Sequence, residues 1–412
     1  MKFKNFKIYT LGCKVNQCDS DYLSRKLIAE GLKSVEEKAD LVIINSCAVT
    51  QTAIRKGRQA IAKAKKENPA AKIVLMGCFP RIYSESGNLK VNLIIKEKNL
   101  DNAILKIKNK FNINSSDLNE FSSCGLKTRK QKAKYFLKIQ DGCEQFCSYC
   151  IIPYARGKLK SRSEKEILAE FKTAVKAGYS EIILCGIHLG LFGKEKGSKN
   201  QKTSLLNLLK KSIKIKGLGR IRLSSIELNE VSDDLIKLIS QEKKICAHLH
   251  IPLQSGCDKI LKSMNRPYSK LEFKNKINKI RSKILDIAIT TDVIVGFPGE
   301  TDKDFNETFD FIKEIGFSKL HVFPFSAHEK TPAGKMKNQI KPELVFKRAE
   351  KLRNFGRKLE ADFKKKFKGK EVEVLVEQIK EGKCLGKTEQ YFDLNFKNLN
   401  RRAGDIVKIK IF

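Results

Sequence analysis

The stretch Cys143-Glu-Gln-Phe-Cys147-Ser-Tyr-Cys150 puts three thiols on one short loop in the order CxxxCxxC. Deprotonated, they suit three irons of a cubane 4Fe–4S cluster and leave the fourth iron without a protein ligand. An iron exposed in this way is a place for a small molecule to chelate. Zinc competes for the same residues, but it ordinarily takes a fourth Cys or His at a comparable distance. The nearest downstream histidine is His188, and no CxxC partner follows. A disulfide framework would need an oxidising compartment and denser cysteine usage than 12 in 412 residues.

Three further cysteines repeat one placement. Gly12-Cys13, Asn45-Ser-Cys47 and Gly77-Cys78 each follow an apolar run that reads as a strand. Neighbouring strand ends of a doubly wound sheet converge where such folds bind ligands. Three thiolates there make a second iron–sulfur site, whereas any one of them alone reads as buried structural cysteine. Cys18 and Cys257 read as spectators. Cys124, Cys185, Cys246 and Cys384 have no partners at ligand spacing and read as packing or exposed thiols. Arg55, near the Cys47 loop, either offsets a cluster's charge or is a solvated helix residue.

Apolar runs and helical periodicity supply the elements that hold these thiols. Lys7–Gly12, Leu41–Asn45, Lys72–Gly77 and Asn92–Ile95 read as buried strands, with amphipathic helices over 17–30 and 50–67. Their alternation predicts an α/β fold with a doubly wound parallel sheet for residues 1–111. Residues 112–134 lose periodicity, are rich in Ser, Asn and Lys, and read as a linker. From 135 to 340 the pattern restarts. Strands at Tyr135–Gln140, Glu181–Gly186, Arg220–Ile226, Ala247–Ile251, Ile287–Gly296 and Leu320–Phe325 alternate with helices near 163–177, 203–214, 232–241, 269–284 and 302–315. Six such units fit a partial (β/α)6 barrel, whose active groups belong at the C-terminal strand ends. The CxxxCxxC loop follows the first of these strands. Residues 341–370 read as a basic connecting helix. Residues 371–412, with alternation in Glu371–Val376 and a closing run Ile406–Phe412, read as a small antiparallel β unit.

Charge is the other strong statement. The chain carries 83 Lys+Arg against 46 Asp+Glu, a formal excess of +37. Lysine-rich composition accounts for part of it. The acid-free run 127–134 and the cluster Lys364–Lys370 argue for a polyanionic partner, nucleic acid above all. No apolar run reaches the roughly 18 residues of a membrane span. Met1–Lys7 lacks a signal-peptide apolar region, so the expected address is cytoplasmic, with no membrane partner.

The CxxxCxxC motif, with Tyr149 just before its last cysteine, resembles the cluster loop of the radical S-adenosylmethionine (SAM) enzymes. Together with Cys13, Cys47 and Cys78 it resembles the methylthiotransferases, radical-SAM enzymes with two 4Fe–4S clusters. Supporting stretches are Thr10-Leu-Gly-Cys-Lys-Val-Asn-Gln17, Asn45-Ser-Cys-Ala-Val-Thr50, Met76-Gly-Cys78 and Asp141–Cys143 through Pro153-Tyr-Ala-Arg-Gly157. His250-Ile-Pro-Leu-Gln-Ser-Gly256 and Asp292-Val-Ile-Val-Gly-Phe-Pro-Gly-Glu-Thr301 add to them. Cys257 stands where the family pattern usually has serine. The resemblance spans nearly the whole chain: an N-terminal methylthiotransferase domain, a radical-SAM core and a C-terminal TRAM domain.

Several expectations follow from that resemblance. One SAM chelates the open iron at Cys143, Cys147 and Cys150 and is cleaved to a 5′-deoxyadenosyl radical; a second SAM supplies a methyl group. The Cys13/Cys47/Cys78 cluster presents sulfur, and the two clusters face one substrate pocket. A reductant such as flavodoxin or ferredoxin feeds electrons. Tyr149, Gly186, His188, Ser225, Glu227 and Val295 line the SAM pocket, although ordinary strand-end turns would occupy the same positions. His250 is a functional residue or a hydrogen-bonded core histidine, and no catalytic residue is assigned. Three substrates compete: threonylcarbamoyladenosine in tRNA, isopentenyladenosine in tRNA, and an aspartate of a ribosomal protein. Gly12-Cys-Lys-Val-Asn-Gln17 looks like the first branch, and the positive charge favours a tRNA anticodon loop over a basic ribosomal protein. An iron–sulfur RNA-binding protein without catalysis is the non-enzymatic alternative.

Overall fold

The computed structural model describes residues 3–83, 89–113, 133–195, 203–397 and 400–412. Cys124, most of the expected linker and the basic run up to residue 132 lie outside them. The described chain forms two compact units. One takes the residues up to 113 together with 142–145 and 150–158; the other takes 133–141, 146–149 and everything from 159 onward.

The first unit is built on β1 (Asn5–Thr10), β2 (Lys33–Ser34), β3 (Leu41–Ser46), β4 (Lys72–Gly77) and β5 (Leu93–Ile94), all parallel in the order β2-β1-β3-β4-β5. Helices α1 (Lys14–Ala29), α2 (Gln51–Glu67), α3 (Cys78–Ile82) and α4 (Leu100–Phe111) complete it. Strand alternation makes two cores from one sheet. Leu41 and Ile43 pack with Leu23 and Leu27 of α1 and Ile104 and Ile107 of α4. Val42 and Ile44 pack with Ile54 and Ile61 of α2 and with Phe79, Ile151 and Ala155. The strand order turns back between β1 and β3, the switch point at which such sheets bind ligands. Cys13 and Cys47 follow those two strands.

Three details differ from expectation. The first strand ends at Thr10 rather than Gly12, because Gly12 has φ +113 and turns the chain out of the sheet. Helix α1 starts at Lys14 with Cys13 as its N-cap, three residues before the expected 17. The short, exposed β2 and the helices α3 and α4 carry no expectation at all.

In the second unit the barrel strands are β6 (Lys134–Lys138), β9 (Glu181–Cys185), β10 (Arg220–Leu223), β11 (His248–His250), β12 (Ala288–Val295) and β13 (Lys319–Pro324). A small hairpin, β7 (Gln140–Asp141) and β8 (Lys160–Ser161), was not expected. Two parallel sheets, β10-β9-β6 and β11-β12-β13, are joined by bridges Ile221–Ile245 and Ser225–His250. All six strands therefore stand side by side in chain order. Helices Glu164–Lys176, Leu205–Ser212, Asp233–Gln241, Lys270–Lys283 and Asp302–Ile315 fill the expected crossovers.

The basic helix Pro342–Lys365 leads to β14 (Glu371–Lys380), β15 (Lys383–Thr388), β16 (Asp393–Lys397) and β17 (Ile406–Lys410), antiparallel in the order β16-β15-β14-β17. Phe363 and Phe367, at and beyond the end of that helix, share a core with Val372, Val374, Phe392 and Val407. Among the described residues, no helix is long and apolar enough to cross a membrane.

Candidate functional site

Cys13, Cys47 and Cys78 sit just past the ends of β1, β3 and β4. Cys47 and Cys78 are buried, while Cys13 is solvent-accessible. Two glycines let the chain pack closely here. A Cβ on Gly12 would stand 2.7 Å from the Cys47 Cβ and 3.1 Å from its Sγ. Gly77, with φ +97, lies against the Ser46 carbonyl and leaves equally little room. Gly12→Ala combines this clash with a left-handed φ, so it is expected to cost about 1–3 kcal/mol of stability and to lower iron loading of this site. Thermal melts and iron content after anaerobic reconstitution check it; full iron loading would show that the close approach is dispensable.

The fields of the three thiols overlap. Burial raises the Cys13 thiol pKa although it is accessible to solvent, Arg156 pulls it back, and Cys78 adds to the rise. Burial pushes Cys47 up to about 12, with the Val49 N–H opposing it and Cys78 and Cys13 reinforcing it. Binding a metal would expel these protons, since the thiolate is the ligand. The N-terminus of α1 favours negative charge at Cys13. Among the described residues, no three Cys, His, Asp or Glu side chains crowd close enough to share one metal ion. A cubane takes one thiolate per iron and so asks for a wider spacing than zinc does.

A polar network fixes this corner. Asn16 donates to the Leu11 carbonyl (2.8 Å) and the Ser46 carbonyl (3.4 Å), and its Oδ1 stands 3.8 Å from Cys13 Sγ. Asn45 donates to the Asn16 carbonyl at 2.9 Å. Arg156, buried, donates to Asn16 Oδ1 and to Asp19 at 3.2 Å. Arg55 is exposed on α2. Arg156, and not Arg55, is thus the cation buried beside these thiols. Its place in Pro153-Tyr-Ala-Arg-Gly157 is the one sequence signal that pointed to it.

The CxxxCxxC loop is pinned at several points. Cys143 N–H donates to the Gly157 carbonyl at 3.0 Å, and Gln145 N–H points at Cys143 Sγ at 3.5 Å. Phe146 takes a left-handed φ of +49, which turns the loop sharply. Ser148 donates through its N–H to Met264 (3.0 Å) and through its hydroxyl to Ser263 (2.7 Å), and its carbonyl accepts from Ala333 N–H at 2.8 Å. Tyr149 packs against Ile260, Met264, Ile294 and Phe297.

The expected SAM-pocket residues divide. Glu227 and His188 belong to one chain of contacts that reaches Cys147. Arg266 donates to Cys147 Sγ and pairs with Glu227, Glu227 N–H donates to Glu230 at 3.4 Å, and Glu230 pairs with His188. His188 N–H in turn donates to Gln140 Oε1 at 2.8 Å. Gly186 adjoins this chain just after β9. Ser225 bridges to His250, and Val295 pairs with Pro324 in the sheet, both outside it. His250 bonds Thr290 (2.9 Å) and Asp292 (3.2 Å) in the manner of a satisfied strand histidine. Arg266, Glu230 and Gln140 were not singled out by sequence reasoning, because isolated charged or amide residues in loops show no periodicity.

Cys18, Cys185, Cys246, Cys257 and Cys384 are all buried. Cys257 donates to Asp304 at 3.5 Å, and burial pushes its thiol up to about 11.

Comparison with known proteins matches the Radical SAM superfamily over residues 137–312, the uncharacterized protein family UPF0004 over 5–94 and the TRAM domain over 365–412. The threonylcarbamoyladenosine tRNA methylthiotransferase MtaB of Bacillus subtilis is 34% identical, covering 98% of this chain and 92% of its own length. MtaB of Aquifex aeolicus is 36% identical over 98% of both chains. A tRNA-2-methylthio-N(6)-dimethylallyladenosine synthase of Clostridium botulinum is 35% identical over 98% of this chain and 94% of its own. Among solved structures, the radical S-adenosylmethionine methyltransferase TsrM of Kitasatospora setae superposes with a TM-score of 0.60 at 12% identity, covering 81% of this chain and 77% of that one. That likeness speaks to the fold alone.

Proposed function

The chain belongs to the methylthiotransferase family of radical-SAM enzymes, and on that premise we propose that it adds a methylthio group to carbon 2 of N6-threonylcarbamoyladenosine in tRNA, beside the anticodon. The observation that carries this reading is near-full-length identity to threonylcarbamoyladenosine methylthiotransferases from several bacteria, joined to Gly12-Cys-Lys-Val-Asn-Gln17. Radical-SAM membership implies one 4Fe–4S cluster and SAM; when bound, they supply a radical able to activate an inert carbon. Cys143, Cys147 and Cys150 hold that cluster. Cys13, Cys47 and Cys78 hold a second one, which their shared corner, overlapping fields and buried Arg156 support.

The residues around them orient and shield. Tyr149 anchors the loop on the core of Ile260, Met264, Ile294 and Phe297, and Glu227, Gly186 and His188 border the SAM site, with Ser225 and Val295 at neighbouring strand ends. Residues 1–111, 135–340 and 371–412 act as the sulfur-donating, radical-generating and RNA-binding domains. The +37 excess and the TRAM match support tRNA as partner; a tRNA substrate is in keeping with a cytoplasmic enzyme, fed by a low-potential reductant such as flavodoxin or ferredoxin.

Nucleoside analysis of tRNA from a deletion strain tests the substrate. The 2-methylthio derivative of threonylcarbamoyladenosine is expected to vanish while its unthiolated parent persists. Equal identity to the dimethylallyladenosine synthases supports a second reading. Loss of the 2-methylthio isopentenyl nucleoside alone would replace the first reading by that one.

A further inference from the structure

We propose that Arg266 is a positioning residue that raises the reduction potential of the cluster at Cys143, Cys147 and Cys150 by donating a hydrogen bond to the Cys147 sulfur. The inference rests on the reading that these three cysteines ligate a cluster. Arg266 follows the helix Asp258–Ser263; its N–H returns to the Leu261 carbonyl at 3.0 Å after Asn265 turns the chain with φ +56. Its side chain is only 2% exposed. Every face of the guanidinium is accounted for. Nη1 stands 3.4 Å from Cys147 Sγ and 3.3 Å from Glu227 Oε1, and Nη2 pairs with Glu227 Oε2. Nε donates to the Tyr268 hydroxyl at 3.0 Å, and that hydroxyl donates onward to the Pro252 carbonyl at 2.8 Å. The group lies 4.9 Å over the Tyr268 ring.

This fork has one fixed orientation, and a planar guanidinium keeps its charge at any pH the protein meets. Glu227 satisfies one side of it, so the sulfur is its other anionic partner. Reduction adds one electron, and therefore negative charge, to a cluster whose ligand sulfur faces that cation. Hydrogen bonds to ligand sulfurs and nearby net charge both set cluster potentials, and a buried cation is weakly screened. The reduced form is thereby favoured. No bond to Arg266 forms or breaks; the electron comes from an external low-potential flavoprotein or iron–sulfur protein.

Anaerobic redox titration followed by electron paramagnetic resonance tests this, reading the cluster signal that added SAM perturbs. In R266Q the midpoint is expected to fall by at least tenfold in the reduction equilibrium, 59 mV for a one-electron couple. E227Q, which removes the anion and leaves Arg266 in place, is expected to move it the other way. An R266Q midpoint equal to wild type, with iron content intact, overturns the proposal. If R266Q fails to retain iron, R266K carries the test: it keeps a charge without the fork, and an unshifted midpoint there is equally fatal. Failure of the underlying reading looks different, because Cys147→Ala would then retain its SAM-responsive signal.

Discussion

Alanine at Cys13, Cys47 and Cys78 together is expected to take the iron content from about eight to about four atoms per chain, abolishing methylthio product while leaving 5′-deoxyadenosine formation in place. The two losses separate because the two sets of thiols are held by different groups. Cys143 keeps its backbone bond to Gly157, and Cys147 keeps Arg266. Neither contact involves the triad. Truncating these thiols leaves small voids: Cys13 and Cys47 lie outside the sheet cores on either side of β3, and Cys78, a member of one of them, loses only its sulfur. The folded unit should therefore survive, which circular dichroism would verify. An iron content that stays near eight, or that falls to zero, contradicts two independently held clusters. Retained methylthio product would remove the triad from the chemistry altogether.

The barrel is legible in the sequence for a physical reason. Parallel strands covered on both faces read as short apolar runs, and the turn residues and helix caps after them mark the ends. Thus Glu181–Gly186 and Arg220–Ile226 are found as β9 and β10 within a few residues. The helix starts are legible too, as at Thr301, whose side chain accepts from Asp304 N–H. Helix α4 could have been found from its cap: Asn99 accepts from Asp101 and Asn102 N–H groups. The hairpin β7–β8 and the strand β2 are only two residues each, too short for any period.

Charged site residues were the opaque part. Arg156 and Arg266 are two among 83 cations, and what distinguishes them is burial against an anion or a sulfur. Burial of a single polar residue is set by elements far apart in sequence. The domain edge at 371 shows the same limit. Phe363 and Phe367 belong to the C-terminal core although their sequence context reads as basic helix.

Glu181 carries the largest expected effect on stability. Its carboxylate sits between Arg220 (2.5 Å) and Arg222 (2.9 Å), all three side chains being nearly inaccessible. The arginines use their remaining N–H groups on the C-terminal sheet. Arg220 donates to the Glu373 and Lys387 carbonyls, and Arg222 to those of Thr388 and Glu389. Arg222 also lies 5.3 Å from the Tyr391 ring, which stacks on His248 at 4.4 Å. One carboxylate therefore neutralises the pair of cations that fastens the sheet to the barrel. Glu181→Gln keeps the shape and leaves two buried guanidinium groups without their anion, a change that costs about 3–5 kcal/mol. Urea unfolding should show the loss, with protease cutting near residue 370 as the sheet loosens. Burial alone would raise the Glu181 carboxyl, but Arg222 and Arg220 outweigh it and hold it at about 2, below its ordinary 4.5. The folded state thus favours the ionised form. Its contribution is complete above 4.5 and is lost as pH falls toward about 2. The stability gap between wild type and E181Q should accordingly stay flat from neutrality down to about pH 5 and narrow below it. A gap that widens on acidification would mean that the arginines do not hold Glu181 ionised, and the clamp would have to be sought elsewhere.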